Sequence, residues 1–230
     1  MSSTPASSAT SAFTTFWLYK ANATRHGLSE SDRVDAIHSI DEALESRKSA
    51  VELRASYSTV GLSAGVDLIL WLVAKDPAAF QELGAALHHS AAAKSLDLVH
   101  AYLGSASTSQ YDPNHGPAFM RGLAPKRYLS VYPFTKTPNW YLLPFEERRQ
   151  LMIEHGKMGN EFPSVQTNTV SSFGIADQEF VVALEDDDPA ILIQMVQRLR
   201  AAAVREFTHV DTPIFLGLRK ELTEALRDTL

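Results

Sequence analysis

The pattern of hydrophobic and polar positions changes period along the chain, and the changes occur twice in the same order. Phe13 to Tyr19 is a short aromatic-rich run that predicts a strand. Val34, Ile37, Ile40 and Leu44 then recur at helical spacing, predicting a helix over Ser31 to Arg47. Alternation at Val51, Leu53, Ala55 and Tyr57, a turn through Gly61 to Gly65 and the apolar run Leu68 to Val73 predict two paired strands. Asp76-Pro77 has the cap-then-proline chemistry that opens a helix, and Asp97 to Leu103 closes the set as a strand.

The second half follows suit. Arg127 to Phe134 predicts a strand and Pro144 to Gly159 a helix. Val165 to Phe173 and Gln178 to Leu184 pair around a turn at Gly174 to Asp177. Asp188-Pro189 opens a helix running to about Arg205, and Pro213 to Leu218 is a last strand. Thr59-Val60 matches Thr169-Val170, and Asp76-Pro77-Ala78 matches Asp188-Pro189-Ala190. The order βαββαβ, met twice, is a tandem ferredoxin-like unit. Two such sheets packed face to face with helices outside make an α+β fold, a dimeric α+β barrel within one chain. The expected organisation is a disordered tail over residues 1–12, one repeat over 13–104, a linker over 105–126 that carries His115, and a second repeat over 127–230.

Composition narrows the function classes. The 230 residues carry a net charge of −6, with 45% hydrophobic and 21% charged residues, so no basic footprint invites nucleic acid or an anionic membrane. There is no cysteine, which removes disulfides and thiolate chemistry. The apolar run Leu68 to Ala74 is too short to span a bilayer, and Met1 to Ala12 lacks the charged start of a secretory signal, so a cytoplasmic protein is expected.

Candidate chemistry concentrates in the second half. Leu151, His155, Met158 and Phe162 fall on one helical stripe, with Met152 and Gly156 flanking the imidazole. Two readings fit His155: a core histidine satisfied by one hydrogen bond, which is the commoner case, or the axial ligand of a haem-type iron, which needs only one protein ligand. Gly156 then leaves room for a flat macrocycle. Alternation puts Tyr128, Ser130, Tyr132 and Phe134 on one strand face, either as an aromatic core or with the Tyr132 phenol at a cavity mouth. Lys136 offers a cation on the same side. Arg198, Arg200 and Arg205 suit either a solvated face or carboxylates of a ligand. His209 and Asp211 form an isolated polar pair in the sequence.

The run Tyr132-Pro133-Phe134-Thr135-Lys136, then Asn139-Trp140-Tyr141-Leu142-Leu143-Pro144, Glu146-Glu147-Arg148 and His155-Gly156-Lys157-Met158-Gly159 resembles the coproheme decarboxylases of the chlorite dismutase-like superfamily. The resemblance implies iron coproporphyrin III as substrate and haem b as product, with hydrogen peroxide as oxidant and a homopentameric assembly. It implies His155 as iron ligand, Tyr132 as redox-active tyrosine and, as in the actinobacterial type, His115 as distal base. Tyr132 to Lys136 resembles the porphyrin-binding strand, Pro133, Phe134 and Thr135 included, and Arg198 aligns with a propionate-binding arginine. Chlorite dismutases carry a distal arginine thirteen residues after the histidine, where this chain has Asn168, a departure that disfavours chlorite chemistry. The alternatives are a haem b-binding chlorite dismutase or peroxidase, and a non-catalytic haem carrier or sensor.

Overall fold

The computed structural model describes residues 12–111 and 116–230. All but Ala12 of the expected tail, and His115 with it, lie outside them. In the first half the elements are β1 (Ala12–Ala21), α1 (Glu30–Glu45), β2 (Val51–Ser58), β3 (Leu68–Ala74), α2 (Ala78–His88) and β4 (Leu96–Ala106). In the second they are β5 (Tyr128–Lys136), α3 (Pro138–Leu142), α4 (Phe145–Gly159), β6 (Gln166–Thr167), β7 (Val170–Ser171), β8 (Phe180–Asp186), α5 (Pro189–Leu199), β9 (Thr208–Val210), β10 (Phe215–Lys220) and α6 (Leu222–Thr229).

Local chemistry sets several boundaries. Ser29 caps α1 in a reciprocal capping box with Asp32, which starts the helix slightly before the position its apolar spacing suggests. Asp188 caps α5 with Pro189 at its first turn. Three elements were not anticipated: α3, β9 and α6. The helix expected to reach Arg205 ends at Leu199, because Ala202 turns extended and a 3-10 turn follows over Ala203–Phe207. That turn buries Ala202 and Val204 against Trp140, burial that a continued helix would forgo.

The strands close into an antiparallel α+β barrel with the ring order β8-β7-β4-β1-β3-β2-β10-β5 and back to β8, while β6 and β9 add at its margin. Two seams join the halves, β4 with β7 and β10 with β2. Each carries a glycine that the close approach requires. A Cβ on Gly104 would stand 2.5 Å from Val170 Cγ2, and one on Gly217 would stand 2.7 Å from Tyr57 Cβ. Inside the ring lie Phe16, Tyr57, Ile69, Trp71, Leu129, Val131, Val181 and Ala183, all essentially without solvent exposure.

Among these apolar side chains is a buried carboxylate. Glu185, 0% exposed, accepts from the Tyr57 hydroxyl at 2.9 Å and the Lys126 amide at 3.0 Å. Asn168 Nδ2 donates to it at 3.1 Å and Arg54 at 3.3 Å. Arg54 in turn stacks over Trp71 at 4.6 Å. Burial and the neighbouring carboxylate together hold the Tyr57 phenol far above the usual tyrosine range.

The two halves fill the space between sheet and helices differently. In the first, Trp17, Leu68, Leu70, Leu72, Phe80 and Leu83 pack it, together with Ala225 and Leu226 from α6. In the second, α4 has no fully buried residue. It packs on α5 and on the Ala203–Phe207 turn, with its apolar stripe half-covered. Among the described residues no helix is long and apolar enough to cross a membrane.

Removing the Glu185 carboxylate leaves the Arg54 guanidinium buried without a counter-charge. Glu185→Ala is expected to cost about 3–5 kcal/mol of unfolding free energy, measured in urea. A loss below about 1 kcal/mol would show that the network is incidental.

Candidate functional site

The half-filled layer of the second half contains a cavity of about 90 Å³ opening onto a cleft of about 480 Å³ in all. Tyr132, Phe134 and Lys136 from β5 form its floor and His155 from α4 its roof. Val196 and Leu199 of α5, Val204, Thr208 and three charged groups, Arg200, Arg205 and Asp211, complete the lining. A larger groove of about 400 Å³ lies between α1 and α6, but its wall mixes Glu30, Arg33, His38, Asp41 and Arg227, and none of the sequence-derived candidates reaches it.

Strand alternation places the floor. Residues 132, 134 and 136 face the helices, whereas Pro133 and Thr135 face the other way and are absent from the lining. Pro133 also marks a break in pairing. On one side β5 bonds to β8 from Tyr128 to Phe134. On the other it pairs with β10 up to Val131 and with β9 from Thr135 onward. Pro133, with no amide hydrogen to give, sits in the unpaired stretch between. The chain linking β9 to β10 crosses that gap and carries Asp211.

Burial tunes the floor residues. The Tyr132 hydroxyl is pushed up to about 12 by desolvation, so the phenol is neutral at ordinary pH; Arg200 and Arg205 pull against the rise and Asp211 adds to it. Desolvation lowers the Lys136 ammonium to about 8, against the pull of Glu179. Its Nζ lies 4.5 Å from the Trp140 ring and 5.3 Å from Phe134, and its backbone amide donates to Glu179 at 2.8 Å. Glu179 also accepts from Tyr141 at 2.5 Å. The Trp140-Tyr141 pair thus braces Lys136 from two directions.

Other candidates sit elsewhere. Arg198 lies outside the cavity in an exposed bidentate pair with Glu161, both contacts at 2.8 Å. Arg200 and Arg205 line the cavity instead, because the helix ends early and the following turn swings them inward. Asn168 is fully buried on the interior side, accepting from the Phe119 amide at 2.9 Å and donating to Glu185, and it does not line the cavity. A Cβ on Gly156 would meet open space, so packing here does not demand glycine. Asp211, which the sequence pairs only with His209, also lines the cavity. Its signal was an acid set among arginines in the last loop.

An imidazole, a neutral phenol and three cations around a cleft with apolar walls fit an iron tetrapyrrole that carries carboxylates. Among the described residues no three His, Asp or Glu side chains gather as a metal site of their own. An iron already held by a macrocycle needs only one protein ligand, and His155 is the imidazole in the lining. A pocket for a ligand of drug size or above spans roughly 300–1,000 Å³, so the lining must part to admit one.

The family model described as chlorite dismutase matches residues 33–220. The chain belongs to that family. It is 32% identical over 190 residues to a coproheme decarboxylase of Mycolicibacterium smegmatis, covering 82% of each. It is 26% identical over 191 residues to one of Staphylococcus carnosus, covering 74% of this chain and 76% of the relative. Among solved structures, a mutant chlorite dismutase of Candidatus Nitrospira defluvii superposes with a TM-score of 0.86 at 21% identity, covering 95% of both chains. That likeness establishes the α+β barrel fold shared across the family.

A ligand carboxylate set beside Lys136 would stabilise its ammonium. Above pH about 8 the free amine must therefore take up a proton on binding, and affinity falls as pH rises. Absorbance titrations with iron coproporphyrin III from pH 7 to pH 9.5 should show this weakening, and Lys136→Met should flatten it. An unchanged slope in the variant removes Lys136 from ligand binding.

Proposed function

We propose that the protein is a coproheme decarboxylase, converting two propionates of iron coproporphyrin III to vinyl groups with hydrogen peroxide and releasing haem b and CO2. The observation that carries this reading is the convergence of His155, Tyr132, Lys136, Arg200 and Arg205 on one cleft. The relatives named coproheme decarboxylase support it, one of them matched over 82% of this chain. Each ionised propionate loses CO2, one proton and two electrons, and one molecule of peroxide takes up those electrons together with that proton and one from solvent to give two waters.

The substrate's own iron supplies the oxidising chemistry once bound. The chain's residues divide the remaining work. His155 holds the iron from the α4 side. Tyr132, neutral because of its burial, gives up a proton and an electron together, and its phenoxyl radical takes a hydrogen atom from the propionate β-carbon. Lys136, Arg200 and Arg205 hold carboxylates in register with the phenol. A misplacement of about 1 Å at such a site costs about 10²-fold in rate. His115 takes a proton from peroxide, a role that rests on its place in the sequence between the halves. Asn168 presents no cation to the cleft, since its amide is committed to Phe119 and Glu185, which weighs against chlorite as substrate. A homopentamer acting in the cytoplasm is the assembly this reading carries, and Leu142 and Ile193, 80% and 61% exposed, offer apolar surface for it.

Mass spectrometry of the porphyrin after coproheme and peroxide are mixed with the protein tests the proposal. Loss of two carboxyl groups is the expected result. An unchanged porphyrin defeats it, and a parallel assay with added chlorite then separates dismutase chemistry, which releases dioxygen, from reversible haem binding, which does not. Tyr132→Phe should bind coproheme and leave it unconverted, and normal conversion by that variant removes the tyrosyl radical. His115→Ala should slow conversion by at least tenfold without weakening binding.

A further inference from the structure

Three charged groups in the cleft already satisfy one another. Arg200 Nη1 donates to Asp211 Oδ2 at 2.5 Å and Arg205 Nη1 to the same oxygen at 2.9 Å. The arginines come from the end of α5 and from the turn that follows it, and Asp211 comes from the link between β9 and β10. That link spans the stretch of β5, Tyr132 to Phe134, that lacks a strand partner on this side. The carboxylate therefore stands where a substrate carboxylate beside the Tyr132 phenol would stand, on the donors such a group needs. The charges of Arg200, Asp211 and Arg205 all act on that phenol.

We infer that Asp211 is an internal competitor for the arginines: it holds Arg200 and Arg205 in the free protein, yields them to a reacting carboxylate of the substrate, and recaptures them once that carboxylate has left as CO2. The inference rests on the decarboxylase reading and deepens it, because it gives the site a means of distinguishing substrate from product. Iron coproporphyrin III carries four carboxylates and haem b two. Only a ligand whose carboxylate reaches the arginines has to displace Asp211, and only such a ligand gains when Asp211 is removed. The three ion-paired side chains are 19–41% exposed, so each pair is worth a few-fold in an equilibrium constant rather than orders of magnitude. Competition of this size favours release of the decarboxylated porphyrin without blocking entry of the substrate.

The test is equilibrium binding in the absence of peroxide, read by porphyrin absorbance with iron coproporphyrin III and with haem b. Asp211→Asn should tighten coproporphyrin binding roughly three- to tenfold and change haem b binding by less than about twofold. Asp211→Glu, which keeps a competing carboxylate, should leave both affinities near those of the native chain. In a chain carrying Arg200→Gln and Arg205→Gln, adding Asp211→Asn should change nothing. Unaltered coproporphyrin affinity in Asp211→Asn, equal tightening for both porphyrins, or tightening that persists without the arginines overturns the inference. The last outcome would mean that Asp211 acts through its charge alone. Should Asp211→Asn melt below the native chain, Asp211→Ser carries the same expectations. Because no peroxide is present, failure here is separable from failure of the decarboxylation reading, which shows in the porphyrin mass alone.

Discussion

The structure depends on a carboxylate buried away from solvent. Glu185 sits inside the barrel on four donors: Tyr57 and Arg54 from β2, Asn168 from the break between β6 and β7, and the Lys126 amide ahead of β5. A lone buried carboxylate would cost several kcal/mol, so the donors and the carboxylate hold one another in place. The consequence is long-range. Both halves and the segment between them are tied to one point, and Asn168 also anchors the Phe119 amide of that segment. The orientation of β5 against β8, and hence of Tyr132 and Lys136, follows from that anchorage and from the ladder between the two strands.

Unequal filling of two like layers explains why the cleft between Tyr132 and His155 lies in the second half. Each half builds a sheet with helices on its outer face, and each must fill the layer between. The first half does so with large apolar side chains and borrows α6 from the far end of the chain. The second half spends its equivalent positions on Tyr132, Lys136, His155 and two arginines, groups too polar to close a core. The stripe on α4 is accordingly half-covered, and its helix stands on α5 and the Ala203–Phe207 turn. One layer is a core and the other holds the cleft, on the same fold.

The fold was legible because its signals were periodic. Alternation in β2 and β5, the helical spacing from Val34 to Leu44 and the two Asp-Pro starts each report a local preference that tertiary packing left standing. The sequence pattern missed α6, where Leu222, Ala225 and Leu226 form a face readable only once the first half's layer is seen to need it. At the site, alternation along β5 was enough to put Tyr132, Phe134 and Lys136 on one face. It also separates them from Pro133 and Thr135, which face the other way. The arginines were harder. Helical spacing carried past Leu199 assigns Arg200 and Arg205 to faces that do not exist, because burial of Ala202 and Val204 ends the helix. Asp211 acquires meaning only from the gap in pairing between β10 and β9, a feature of register and not of sequence.

In the proposed function α4 presents His155 to the iron of a porphyrin held above Tyr132. The iron–imidazole stretching band of the ferrous coproheme complex tests it most directly. The native chain should show that band, His155→Gly should lack it, and added imidazole should restore it to the variant. A band that survives in His155→Gly without imidazole would place the iron on another ligand and contradict the account.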